Sequence, residues 1–400
     1  MLGMPTASEA TEWVANPSVS LGFEYNDNIF LTTSPHEPVT GTNLTANLDF
    51  GARQEIWELW GGVQLVSRRY MNRDDLDSDN GYANLRYQYR AERNLWTLNG
   101  SYADESILGT TTIDPDIGLV EKQTKRRSTN INPAWNWSLT ETKQLRVDYQ
   151  YLDAQYEDGI SQGFLDYRQQ AVNLTVSDQL TQRTSIYAIL GYSDFEVTTP
   201  ESQITTSYTS TSRTNSAQLG ISYDFTETIK GSLSGGPRKT VSDDVIQTLG
   251  ICGFFFCLVP VTQQNTGYGN VIAGSLESQL ELTRTTFRFS RSVSPSGSGS
   301  PVQVGDLYLG IYRQITPERL SAQLVAQGYV IRALGNTTSS VDRNYYRLEP
   351  GIRWRWTEDL TVEASYRYAR QRYLGATDVA AASSVYLTFT YLWPKISVSR

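Results

Sequence analysis

Apolar and polar residues alternate one by one along much of this chain. Between residues 346 and 356, aromatic and aliphatic side chains alternate with arginines and glutamates. A polar turn at 357–359 follows, and the alternation resumes from Leu360 to Tyr368. Successive side chains of a β-strand point to opposite faces of the sheet, so each segment predicts a strand with one apolar and one charged face.

About 18 segments of roughly 10 residues show this pattern, which is the length of a tilted membrane-spanning strand. The length of each connection depends on whether it follows an even- or an odd-numbered segment. After even-numbered segments they are short: 53–55, 90–94, 140–143, 177–182, 226–228 and 357–359. After odd-numbered segments they are long: 28–40, 71–80, 104–127, 198–212, 239–265 and 334–344. Short periplasmic turns and long extracellular loops are typical of outer-membrane barrels.

The predicted fold is therefore all-β: an antiparallel, up-and-down transmembrane β-barrel of 16–18 strands in a bacterial outer membrane, with both termini in the periplasm. Residues 1–15 are predicted to be an N-terminal periplasmic extension, and residues 16–400 a single barrel domain. The middle of the chain is less regular. There the eleventh strand is predicted over 229–235 and the twelfth over 268–276, with a long loop between them.

Aromatic residues support the predicted orientation, because Trp and Tyr concentrate at the two membrane–water interfaces. The chain contains 25 Tyr and 9 Trp. Aromatic residues beside short turns are Trp57, Trp137, Phe225, Trp356 and Trp393. Those beside long connections are Tyr25, Tyr102, Tyr151, Tyr192, Tyr346 and Tyr368. Two aromatic girdles at opposite interfaces are expected.

Composition excludes several functional classes. A net charge of -8 and a pI near 5.0 argue against a nucleic-acid partner. The single histidine, His36, lies in the first long connection, where a solvated residue is expected rather than a catalytic one. No Cys/His cluster predicts a transition-metal site, and no cofactor is expected. We therefore do not expect an enzyme.

Charged residues on the predicted inward face of strands 13, 16 and 17 are the candidate functional residues. They are Arg284, Arg288, Arg347, Glu349, Arg353, Arg355, Glu363 and Arg367. One interpretation is a lattice of salt bridges that supports a wide wall. The other is a basic stripe that attracts an anionic solute or an acidic polymer into a pore.

The segment 249–261 is unusually apolar and contains both cysteines. Cys252 and Cys257 fit one local disulfide of an exported protein. Between them lie Phe254, Phe255 and Phe256, which would form an aromatic knob. Three roles stay open: a plug or constriction in the lumen, a dock for a surface partner, and packing against neighbouring loops.

Two short motifs near the ends of the chain resemble a known group. Residues 22–30 read Gly-Phe-Glu-Tyr-Asn-Asp-Asn-Ile-Phe, and residues 391–395 read Tyr-Leu-Trp-Pro-Lys. They resemble outer-membrane β-barrels that are associated with exopolysaccharide and capsule secretion. The resemblance implies a role in moving polysaccharide across the outer membrane, beside a periplasmic polysaccharide-export protein.

Three functions are thus expected as alternatives. The first is exopolysaccharide export, as a pore or as the partner of a periplasmic protein. The second is a general or anion-preferring diffusion porin, whose cargo would be a small anionic solute. The third is a structural barrel that scaffolds a cell-surface assembly. Outer-membrane lipid and lipopolysaccharide are the expected surroundings, and a basic run, Lys122, Lys125, Arg126 and Arg127, lies at the predicted outer rim.

Overall fold

A computed structural model of the chain describes residues 11–33, 36–109, 124–200, 207–252, 255–297, 299, 301–334, 342–374 and 377–399. These residues form a nearly all-β structure. Its strands are β1 (Glu12–Asn26), β2 (Val39–Arg53), β3 (Trp57–Tyr70), β4 (Ser78–Arg90), β5 (Asn94–Ser106), β6 (Lys125–Ser138), β7 (Lys143–Tyr156), β8 (Asp166–Gln179), β9 (Thr184–Thr199), β10 (Tyr208–Asp224), β11 (Ile229–Cys252), β12 (Phe255–Gln279), β13 (Thr283–Ser294), β14 (Val302–Thr316), β15 (Leu320–Ala333), β16 (Arg343–Arg355), β17 (Leu360–Tyr373), β18 (Ala380–Leu392) and β19 (Ile396–Ser399).

The sheet closes on itself. Each of the first eighteen strands pairs antiparallel with its neighbours in sequence, and β1 also pairs with β18, from Ser18 opposite Leu392 to Asn26 opposite Ser384. The short β19 continues the same edge and pairs with residues 12–15 of β1. The fold is therefore a closed antiparallel barrel of 18 strand positions, as the alternation predicts. β1 begins at Glu12, so residues 12–15, assigned above to the extension, pair with β2 and β19.

The outer surface of the barrel is apolar. Leu65, Leu190 and Ile352, which lie on the predicted lipid-facing side of their strands, are 60%, 57% and 53% exposed. A soluble protein would not leave such a band in water. Because every backbone group of a closed barrel is paired with a neighbouring strand, the fold can cross a membrane without a polar edge. Barrels with this apolar outer band belong to bacterial outer membranes, and so does this one.

Exposed aromatic residues mark both ends of the apolar band. Tyr25, Tyr102, Tyr192 and Tyr346 are exposed at the end where the long connections lie, which we call the loop end. Trp137, Phe225, Trp356 and Trp393 are exposed near the opposite end, which we call the turn end. The rings of Trp354 and Trp356 stack with their centroids 5.7 Å apart. These two levels match the girdles expected at membrane interfaces.

The parity of the connections holds along the chain with one exception. Connections after even-numbered strands span three or four residues, and those after odd-numbered strands span six to 18, apart from the one between β11 and β12. Among the described residues no helix has the length and apolarity needed to cross a bilayer. The short 3-10 helices Asp74–Leu76, Ile107–Gly109 and Gly159–Gln162 all lie in connections of the loop end. Which membrane side this end faces stays a prediction.

The exception corrects the sequence analysis. The prediction of a long loop over 239–265 was wrong, because β11 and β12 run through it and are 24 and 25 residues long. Only two residues separate them. The pairing of β11 with β10 ends at Asp243, and that of β12 with β13 ends at Ile272. Beyond these points the two strands pair only with each other, as a hairpin arm of about 30 Å.

Candidate functional site

The inward face of β13, β16 and β17 carries all eight charged residues that the sequence analysis places in the lumen. Two of the arginines are paired with carboxylates of a neighbouring strand. Arg353 Nη2 lies 2.8 Å from Glu363 Oε2, and Arg367 Nε lies 2.8 Å from Glu349 Oε2. The amide of Gln323 also donates to Glu363 over 3.1 Å. Both glutamates are thus engaged with arginines of the same wall.

Two arginines stack on tyrosines, and one of them is Arg367, which also pairs with Glu349. The guanidinium of Arg288 lies 4.8 Å from the ring centroid of Tyr308, and that of Arg367 lies 4.8 Å from the ring of Tyr386. Arg367 Nη1 also donates to the Tyr386 hydroxyl over 3.1 Å. Neither tyrosine was predicted as a lumen residue, although alternation along β14 and β18 places both on the inward face. Such contacts hold a guanidinium in place without neutralising its charge.

Arg284 and Arg355 have no ion pair and no hydrogen bond from their side chains within the described part of the chain. Arg355 lines a recess of about 390 Å³ near the turn end, together with Arg353, Thr361 and Thr390. Arg284 is opposite Tyr312, which lines the same recess. Arg347, the remaining predicted residue, lies between Tyr345 and Glu349 on the inward face of β16. Arg355 therefore presents a guanidinium group without an ion pair to the recess, and Arg284 lies opposite one of the residues that line it.

The charge of the lumen wall is asymmetric among the described residues. The inward face of β13–β17 carries seven arginines and three carboxylates: Arg284, Arg288, Arg343, Arg347, Arg353, Arg355 and Arg367 against Asp306, Glu349 and Glu363. The inward face of β1–β4 is balanced: Arg53, Arg68, Arg86 and Arg90 against Glu12, Glu24, Asp49 and Glu58. A wall with excess positive charge raises the local concentration of anions.

Connections of the loop end fold into the lumen. Phe164, from the β7–β8 connection, is 5% exposed and stacks on the inward-facing ring of Tyr156, with centroids 5.0 Å apart. The same apolar cluster contains Ile107, from the β5–β6 connection, and Phe195 of β9. The backbone N–H of Leu165 donates to the carbonyl of Gly297 in the β13–β14 connection over 2.7 Å. This bond joins connections that are six strand positions apart around the barrel.

Two more clusters complete this constriction. Leu76, from the β3–β4 connection, packs on Val39 and Tyr70, with Phe30 and Leu108 against them. Leu31, from the β1–β2 connection, packs on a third cluster that includes Val302, Ile331 and Tyr345 of β14, β15 and β16. Leu108 contacts both the first and the second cluster. Side chains from four connections thus narrow the lumen at the loop end, a feature that the sequence analysis did not predict.

A buried ion pair supports the constriction from the wall. Arg126 Nη2 lies 2.8 Å from Glu105 Oε1, and the two side chains are 9% and 8% exposed. The Tyr82 hydroxyl donates to the other oxygen of Glu105 over 3.0 Å. Each carboxylate oxygen of Glu105 therefore has a hydrogen-bond donor. Burying a carboxylate without such partners would cost several kcal/mol of folding free energy.

Other predicted sites give less information. Phe254 lies outside the described residues, as do the side chains of Cys252, Phe255, Phe256 and Cys257, so the disulfide and the aromatic knob stay predictions. No group of three or more metal-ligating side chains occurs in the part of the chain that the structure describes. In the β3–β4 connection, two hydrogen bonds of 2.8 Å from Arg73 lower the pKa of Asp75 below its ordinary value. This pair orders an exposed loop.

Neither a protein-family model nor a curated protein matches the chain. Solved outer-membrane structures do resemble it. The ferric-catecholate import receptor Fiu from E. coli K12 has a TM-score of 0.48 and 10% identity, over 98% of this chain and 82% of its own. OccAB3 of Acinetobacter baumannii has a TM-score of 0.45 and 11% identity, over 96% and 99%. OpdL of Pseudomonas aeruginosa has a TM-score of 0.43 and 11% identity, over 96% and 99%. Because the identities and TM-scores are this low, the substrates of these proteins cannot be assigned to this chain.

Proposed function

We propose that the barrel is a diffusion channel that prefers small anionic solutes. The observation that carries the proposal is the basic wall of β13–β17, where arginines outnumber carboxylates and the glutamates are already paired. Diffusion channels need binding that is favourable enough for entry and weak enough for release. Guanidinium groups at the edge of an open recess meet this requirement, because water screens them partly.

In this proposal the basic wall sets charge preference and the constriction sets the size limit. The basic wall attracts the anion, and the free guanidinium groups of Arg284 and Arg355 exchange hydrogen bonds with its oxygen atoms as it passes. The constriction at the loop end limits size, since apolar side chains from several connections occupy that part of the lumen. A small carboxylate or phosphate-bearing solute fits both conditions.

Charge selectivity in planar lipid bilayers tests the proposal. Across a tenfold KCl gradient, a fully anion-selective pore gives a reversal potential of about 59 mV. We expect the sign for chloride preference in the unaltered barrel. The double variant Arg284→Gln/Arg355→Gln removes two charges from a net excess of about four, so the potential is expected to fall by about half.

Arg127→Gln is the matched control. Arg127 lies on the outer face of β6, paired with Asp104 at 3.4 Å, so its loss leaves the selectivity of the lumen unchanged. A barrel that prefers potassium, or a double variant with the original reversal potential, contradicts the proposal. Absence of any current at all contradicts it too, because the constriction would then keep the barrel shut.

Exopolysaccharide export is a second candidate, supported by the resemblance of residues 22–30 and 391–395 alone. Within the first motif, Asn28 donates to the carbonyls of Thr32 and Ala381, both over 2.9 Å. The Asp27 carboxylate accepts the backbone N–H of Ser383 over 2.7 Å. The motif therefore holds the end of β1 against β18 by hydrogen bonds. This role is structural and gives no information about the cargo. A deletion strain that still exports its exopolysaccharide normally would rule this candidate out.

A structural scaffold is the third candidate, with the tip of the β11–β12 arm as its dock. Removing residues 249–261 tests it separately from transport. Loss of a surface assembly with unchanged conductance would support a scaffold, and an unchanged assembly would exclude the tip as a dock.

A further inference from the structure

Arginines on the outer face of the barrel form a belt just beyond the apolar band at the loop end. On β3–β10 each of them has a carboxylate partner. The pairs are Arg69–Asp79 at 2.9 Å, Arg127–Asp104 at 3.4 Å, Arg168–Asp153 at 3.4 Å and Arg213–Asp194 at 3.7 Å. Alternation places all eight residues on the lipid-facing side of their strands. This part of the belt is neutral.

On β15–β17 the belt differs. Arg332, Arg370 and Arg372 lie on the outer face, and none of them has an ion pair among the described residues. Arg332 is held in place: it donates to the carbonyls of Ile331 and Arg343 over 2.7 and 3.1 Å and to Asn344 Oδ1 over 2.8 Å. Asn344 is opposite Arg372. The three guanidinium groups thus form one patch, the outer arginine patch.

Carboxylates near this patch are few and occupied. Asp342 is 8% exposed and accepts the backbone N–H of Ala333 over 2.6 Å. Asp27, directly after β1, accepts the N–H of Ser383. The connections 334–342 and 374–379 contribute one further acid, Asp378. A net positive charge therefore remains on the lipid side of the barrel, where burial without a counter-ion is unfavourable.

Aromatic side chains lie directly below the patch. Arg370 is opposite Tyr346 in the sheet, with its guanidinium 5.9 Å from the ring centroid. Tyr346 and Tyr366 are exposed on the same outer face. Interfacial aromatics mark the level of the lipid head groups, so the guanidinium groups lie at the depth of head-group phosphates. Arg332 and Arg372 are two strand spacings apart, about 10 Å, and Arg370 lies one residue pair deeper.

We propose that the outer arginine patch binds the phosphates of lipopolysaccharide in the outer leaflet. Three unneutralised arginines spread over about 10 Å match a head group that carries more than one phosphate, and arginine binds phosphate through two parallel hydrogen bonds. The belt on β3–β10 is neutralised by its own carboxylates, so the site lies on the β13–β17 side, where Arg291 on the outer face of β13 also has no ion pair among the described residues. The proposal is independent of what passes through the lumen.

Co-purified lipid and direct titration test the site. The triple variant Arg332→Gln/Arg370→Gln/Arg372→Gln is compared with Arg127→Gln/Arg168→Gln/Arg213→Gln, which alters the neutralised side. The purified barrels in detergent are titrated with lipopolysaccharide, with its dephosphorylated form and with inorganic phosphate. For the first triple variant we expect about 100-fold weaker binding of lipopolysaccharide, because it removes three arginine charges worth about 1 kcal/mol each at the membrane surface. The control triple variant is expected to bind lipopolysaccharide like the unaltered barrel, which would locate the site at the patch. Weaker binding of the dephosphorylated form would show that the phosphates are recognised.

Several results would overturn the proposal. Equal losses in both triple variants, or equal affinity for dephosphorylated lipid, exclude a phosphate site at the patch. Saturation by inorganic phosphate at the same concentration as by lipopolysaccharide identifies a free-anion site instead. The single variant Arg372→Glu is the control for misfolding of the triple variant. The Arg372 side chain makes no hydrogen bond or ion pair among the described residues, so replacing it should leave the fold intact. It is expected to weaken lipid binding about 10-fold or more while the barrel still migrates as a folded species on unheated gels.

Discussion

Replacing Phe164 with alanine tests the constriction directly. The ring is almost fully buried, stacks on Tyr156 at a centroid distance of 5.0 Å and joins connections from two sides of the lumen. Truncating a buried phenylalanine costs about 3–5 kcal/mol in a protein core. If about 3 kcal/mol of this stabilises the folded-in position of the connection, its population relative to opened positions falls by about 100-fold. The constriction should then open often.

Two measurements follow this change. Hydrogen exchange of the Leu165 amide, which donates to Gly297 over 2.7 Å, should accelerate by about 100-fold, because the bond breaks whenever the connection opens. Single-channel recordings in bilayers should show more frequent or larger openings. Ile160→Ala is the control, since Ile160 lies in the same connection but is 63% exposed. Unchanged exchange and conductance in Phe164→Ala would refute the constriction.

Three further changes have equally definite outcomes. Glu105→Gln removes the carboxylate charge that pairs with buried Arg126, so the free energy of unfolding in a urea titration should fall by about 3 kcal/mol, and an unchanged midpoint would contradict this. Gly220→Ala places a methyl group against the ring of Tyr187, and tyrosine fluorescence and thermal stability should both change, unlike in Gly100→Ala, where the added Cβ meets open space. Trp354→Ala removes a lipid-facing ring and should lower stability in vesicles by about 2 kcal/mol, whereas the inward-facing Trp60→Ala should leave lipid anchoring intact.

The strands were predictable because lipid forces a strict alternation on every segment that crosses it. That condition ends beyond the membrane, where both faces of a strand meet water. The hairpin arm shows this loss of alternation: it consists of β11 after Asp243 and of β12 before Ile272. The pattern of apolar and polar residues in 239–265 is irregular, so the sequence predicts a loop there. The hydrogen bonds between these strands need no alternation of side chains, so the pattern could not reveal them.

Alternation also predicted which charges face the lumen, but not their partners. Pairing of Arg353 with Glu363 depends on the register between β16 and β17, which no single strand specifies. Burial of Phe164 and Leu76 depends on contacts among distant connections. Apolar residues within polar connections were the available signal, and single apolar residues are also normal on exposed surfaces.

The seam between β1 and β18 has a consequence for how the barrel is made. The hydroxyls of Ser20 and Thr390 are hydrogen-bonded over 2.9 Å across 370 residues of chain. Closing such a loop costs roughly 2 kcal/mol more in chain entropy than forming a hairpin of about 30 residues. Until the last strand arrives, the edge of β1 exposes N–H and C=O groups that attract foreign strands. Synthesis of the whole chain must therefore precede closure, and a nascent fragment is an aggregation hazard rather than a partial pore.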